Sequence, residues 1–121
     1  MDKIINSKLY DLEDRTFEFA KQCRLFIKKL SRSQANIEYG KQLIRSSGSI
    51  GANYIEANES LGKKDFLMRI KISRKEAKES CFWLKLLDID DLQDKERLGL
   101  LKEATELMMI FSAIMRKSGN V

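Results

Sequence analysis

The chain has 121 residues, of which 43% are apolar and 34% charged, with a net charge of +5. That suits one soluble, helix-rich domain able to bury a core without disulfides or metal. With no Pro, nothing strongly opposes long helices; with no His, the usual acid–base group and metal ligand near neutral pH is missing.

The opening residues, MDKIINSKLYDLED, lack the apolar stretch of a signal peptide. No apolar run approaches the ~20 residues that span a bilayer. Residues 9–30 then place Leu9, Leu12, Thr16, Phe19, Cys23, Phe26, Ile27 and Leu30 at helical spacing, predicting one apolar face. Asp11, Glu13 and Asp14 suit the positive end of the helix dipole, and Lys28 and Lys29 the negative end.

SRSQA (Ser31 to Ala35) is a polar break with Ser33 as N-cap, and a second helix is predicted over 35–58. Ile37, Ile44 and Ile55 mark the centre of its core face on a helical wheel, beside Gly40, Ser47 and Gly51. Its second half, SSGSIGANYIEAN, is rich in small residues, yet the helical period runs straight through it. No strand precedes it and neither GxGxxG nor GxxxxGK[ST] is present, which argues against a phosphate-binding loop. The small residues instead predict close helix approach, within the bundle or between chains. Gln42, Arg45, Ser49, Asn53 and Glu56 form a polar stripe opposite. It reads either as a solvated face or as a polar network at a subunit contact or ligand site.

After a turn at ESLGKK, a third helix over 64–87 is expected to bury Phe66, Ile70, Ser73, Ala77, Cys81 and Leu84. The acidic connector DIDDLQD offers Asp91 or Asp94 as cap for a fourth helix over 94–117. That helix carries Leu98, Leu101, Thr105, Met108, Ser112 and Met115 and ends at Ser118, Gly119 and Asn120. Four long helices joined by short breaks predict a single all-α domain, an up-down-up-down antiparallel four-helix bundle. Cys23 and Cys81 lie far apart without CxxC, so they read as small core residues in a reducing cytoplasm. No disulfide, metal or cofactor is expected.

Two surfaces of helix 3 call for partners. From Lys63 to Lys85, eight basic residues face Asp65, Glu76 and Glu79, so this segment holds the whole charge excess. Lys64, Lys71, Arg74, Lys75, Lys78 and Lys85 share one side with Phe82, a pattern suited to a phosphate backbone with a base stacked on the ring. A solvated lysine face is the plainer reading. The second surface carries Met68, Ile72, Trp83 and Leu86, matched on helix 4 by Leu107, Phe111 and Ile114 within LMMIFSAIM. A helix apolar on all sides is normally buried on all sides, which predicts a homo-oligomer.

The run Gln42-Leu43-Ile44-Arg45-Ser46-Ser47-x-Ser49-Ile50-x-Ala52-Asn53-x-x-Glu56-Ala57 resembles the signature of the four-helix-bundle protein family, also called the 23S ribosomal RNA intervening-sequence proteins. The likeness extends to Asp11-Leu12-Glu13, Lys64-Asp65-Phe66, Glu76-Ala77-Lys78-Glu79-Ser80 and Trp83-Leu84; Asn58 stands where the pattern usually has Gly. The resemblance implies a bundle related to the accessory proteins of diversity-generating retroelements. It also implies a pentameric ring and contact with nucleic acid or a nucleic-acid-handling protein.

No His or paired nucleophile supports catalysis, and Glu56 beside Asn53 is the one carboxylate worth testing. The expected function is a non-enzymatic oligomeric scaffold that binds RNA or a ribonucleoprotein through helix 3, with no membrane or small-molecule substrate. The alternative is a protein-binding adaptor without nucleic-acid contact.

Overall fold

The computed structural model describes the backbone of residues 2–119 and the side chains of residues 12–119. It contains α1 (Asp2–Lys28), α2 (Gln34–Asn58), α3 (Lys63–Leu86) and α4 (Asp91–Lys117). Each helix lies antiparallel to the next. Gly51 and Gly40 of α2 meet Thr16 and Ile27 of α1. Asn53 and Ser46 meet Arg69 and Ser80 of α3. Thr105 of α4 approaches Cys81, and α4 closes on α1 through Arg15–Glu103 and Lys29–Glu96. This is an all-α, up-down-up-down four-helix bundle. Among the described residues, no helix is long and apolar enough to cross a membrane.

α1 has the face its sequence predicts: Leu12, Thr16, Phe19, Cys23, Phe26 and Leu30 are all buried. The side chain of Leu9, assigned to the core, and Asn120, assigned to the end of α4, fall outside what the structure describes. Burial pushes the Cys23 thiol up to about 12, with a hydrogen bond to Ser47 opposing it. Cys81 is half-buried at the α3–α4 seam, 3.8 Å from the Thr105 hydroxyl, rather than in the core.

α2 and α4 are rotated from the expected faces. Ile37, Ile44 and Ile55 do not centre the α2 core; they are 38%, 48% and 48% exposed. The core is reached instead by Leu43, Ser46, Ser47, Ile50, Tyr54 and Ala57. Ser47 is buried on the face expected of it, but Ser46, small and hydrogen-bonded, is buried at a position that an apolar count assigns elsewhere. On α4 the inward row is Leu100, Ala104, Leu107 and Phe111. Leu98 is 55% exposed, and Thr105 is exposed too. In this orientation Glu103 and Glu106 face Arg15 at 2.7 and 3.1 Å.

The helix ends are tied by side chains. Ser33 caps α2 through Asn36 N–H, as expected. α4 is capped by Asp90, in a capping box with Gln93, rather than by Asp91 or Asp94. Asn36 is buried, donates to the Ser31 and Asp88 carbonyls at 3.0 Å, and accepts from Asp88 N–H at 2.7 Å. One amide thus staples the α1–α2 loop to the α3–α4 loop.

The glycines of α2 serve different ends. A Cβ at Gly51 would lie 2.8 Å from Thr16 Oγ1, and one at Gly40 3.3 Å from Ile27 Cγ2, so both admit α1. Gly48 has open space around it. Gly51→Val is expected to cost about 2 kcal/mol through overpacking. Gly99→Ala, at an exposed helical position where a Cβ meets nothing within 4 Å, should gain about 1 kcal/mol from helix propensity. Urea unfolding midpoints should therefore move in opposite directions.

Candidate functional site

Where α2 meets α3, small residues allow close approach. Ser73 donates to the Ile50 carbonyl at 2.9 Å. The Ser46 and Ser80 hydroxyls lie 2.8 Å apart, and Ser80 donates to the Glu76 carbonyl at 2.9 Å. All three serines are fully buried. Each hydroxyl has a partner, so burying it adds little desolvation cost.

The polar stripe of α2 flanks this seam. Arg45 reaches the Glu76 carboxylate at 3.4 Å and Glu79 at 3.1 Å. Arg69 of α3 donates to Asn53 Oδ1 at 3.0 Å, while Asn53 Nδ2 donates to Ser49 Oγ at 2.9 Å. Arg45 and Asn53 are thus bound to α3 of their own chain, and Ser49 supports Asn53. Arg45 is nonetheless 51% exposed, and Gln42 and Glu56 stand exposed on the same stripe. Asn53 is turned to Arg69 and Ser49 rather than to Glu56.

This seam sorts the charges of α3. Glu76, buried, and Glu79, 39% exposed, both pair with Arg45, and the opposite side is left to cations. Lys64, Lys71, Lys75, Lys78 and Lys85 are exposed and Arg74 is half-buried. Among the described residues, none of the six is ion-paired. Lys64 and Lys85 are ~32 Å apart at 1.5 Å per residue. Phe82, 57% exposed, stands among them, its ring edge-on to Trp83 at 5.0 Å. A groove of about 560 Å³ is lined by Met68, Lys71, Ile72, Arg74, Lys75, Lys78, Met108 and Ser112. Such a face can hold a polyanion by counterion release.

The apolar residues assigned to a subunit contact divide. Leu107 and Phe111 are wholly buried in the core, because α4 turns this row inward. Ile114 is half-buried, and Trp83 is half-buried, stacked on Tyr39 at 5.9 Å. Ile72 is half-buried, while Met68 and Leu86 remain exposed. Among the described residues, one apolar row left uncovered is one that sequence reasoning placed inside: Ile37, Ile44 and Ile55 on α2, around the open Gly48. Its spacing was visible, but not its direction.

A sequence profile of the 23S rRNA-intervening sequence proteins matches residues 10–113. The chain is also similar to a crystal structure of a protein of unknown function from the S23 ribosomal protein family of Bacteroides thetaiotaomicron VPI-5482. Identity is 31%, with 86% of this chain and 97% of that chain covered and a TM-score of 0.75. No curated protein matches the chain.

The Arg45–Glu76 contact joins a half-exposed guanidinium to a carboxylate only 8% exposed. Arg45→Met is expected to destabilise by about 1 kcal/mol, a value kept small by solvent screening of the arginine. Adding Glu76→Met should restore part of the loss by removing the stranded carboxylate, as read by urea denaturation.

Proposed function

The chain belongs to the 23S rRNA-intervening sequence protein family, and from that premise we propose that it is a non-enzymatic scaffold that binds RNA or a ribonucleoprotein through the outer face of α3. One observation supports this most: the carboxylates of mid-α3 are paired with Arg45, while the lysines of its outer face have no ion pair among the described residues. Lysines in such a row act additively on phosphates, and affinity should fall steeply as salt rises. The non-catalytic reading is supported by the isolation of Glu56 from Asn53. Two free thiols suit a reducing cytoplasm.

The scaffold is proposed to be a homo-oligomer, with five copies as the number the family resemblance implies. Its contact surface is revised from the α3 and α4 residues, of which Leu107 and Phe111 are buried in the core, to the α2 row of Ile37, Ile44 and Ile55, whose side chains one bundle leaves in water. Small Gly48, in the middle of that row, gives a second helix room to approach.

Two experiments test these readings. The Lys71→Glu, Lys75→Glu, Lys78→Glu variant should fold and assemble normally yet lose RNA retention by at least about tenfold, since several phosphate contacts go together. Unchanged, salt-insensitive binding overturns the RNA reading. Partner retention after nuclease treatment of copurified material would favour the adaptor. For assembly, Ile44→Asp with Ile55→Asp should convert the oligomer to a folded monomer in light scattering. A wild-type chain that is itself monomeric at high concentration contradicts the proposed contact.

A further inference from the structure

The outer face of α3 is more than a cationic row. At 100° per residue, Lys64, Lys71, Lys75, Lys78 and Lys85 follow one line. Met68, Ile72 and Leu86 follow a second line beside it, on the side toward α2, while Phe82 lies within the lysine line at the same angle as Lys64. Met68, Phe82 and Leu86 are 46%, 57% and 37% exposed. Glu79 lies near this second line, but Arg45 binds it. The two lines meet in the groove, where Met68, Ile72 and Met108 adjoin Lys71, Lys75 and Lys78.

A duplex can use only one of these lines. Its phosphates would meet the lysines, but its base faces are stacked inward and offer the apolar line nothing. A single strand uses both, because its phosphates and its base faces are accessible together. Phe82 is well placed to meet such a base face. Its edge-on contact with Trp83, itself stacked on Tyr39, holds the ring in place while a face stays open. Lys78 and Lys85 stand one turn before and one turn after it, about 6 and 4.5 Å along the axis. α3 contains no Asn or Gln, the side chains that read adenine edges in a duplex groove. With no adenine reader on α3 and its lysines in line for phosphates, the face is suited to stacking.

Resting on the RNA reading above, we infer that the α3 face selects single-stranded nucleic acid with little sequence preference, phosphates following the lysines and at least one unpaired base stacking on Phe82. A paired helix binds it only through charge.

The probes are a mixed-sequence RNA strand, the same strand annealed to its complement, and the full-length protein at low salt, followed by anisotropy. Trp83 is the only tryptophan, and its contact with Phe82 makes its emission a local reporter. The strand should bind more tightly than the duplex and change Trp83 emission, which the duplex should leave unchanged. Phe82→Ala should weaken strand binding by about fivefold or more while leaving duplex binding within about twofold, since stacking of one base contributes at least that much. Phe82→Tyr should retain the wild-type preference, and circular dichroism of both variants verifies the bundle. Equal binding of strand and duplex, unaffected by Phe82→Ala, overturns this inference and leaves the RNA reading standing. Failure of the wild-type protein to bind either probe removes that reading and this inference with it.

Discussion

The close seam between α2 and α3 is the constraint from which the other features follow. Three buried serines replace bulky side chains there, and their hydroxyls are satisfied by the Ile50 and Glu76 carbonyls and by one another. Close approach lets Arg45 and Arg69 bridge to the neighbouring helix beside the core. Those bridges set which way each face of α3 points. A larger residue at Ser46, Ser73 or Ser80 would part the helices, pull Arg45 from Glu76 and leave a carboxylate buried alone.

The same seam accounts for part of the conspicuous polar motif of α2, since Arg45 and Asn53 bridge to α3 and Ser49 supports Asn53. The surface proposed for a partner is the side of α3 away from the seam. There the lysines stand unpaired among the described residues, and Phe82 stands among them. A fold that pairs its carboxylates with another helix concentrates positive potential without needing a large net charge. The +5 of the whole chain understates the field along that one face.

The sequence revealed the number of helices, their order and the α1 core face, because α1 has a single apolar stripe bounded by charges. It also revealed the basic line of α3, since Lys and Arg recur there at helical spacing. The rotations of α2 and α4 were not legible. Each helix has two apolar rows, and periodicity alone cannot rank Leu43 and Ile50 against Ile37, Ile44 and Ile55. What tells them apart is tertiary: hydroxyls that find buried carbonyls, and Glu103 and Glu106 that find Arg15. The pairing of Glu76 and Glu79 with Arg45 was hidden for the same reason, because charge counting treats every carboxylate as neutralising its own neighbours. Hence Leu107 and Phe111 looked like surface, and the α2 isoleucines looked like core.

Lysine footprinting tests the sorting of charge most directly. The protein is acetylated with and without a saturating single-stranded RNA, and modification is read at every lysine by mass spectrometry. The account predicts protection at Lys71, Lys75, Lys78 and Lys85, with Lys21, Lys28, Lys41 and Lys102 modified as in the free protein. Protection spread evenly over all helices, or centred away from α3, would contradict it.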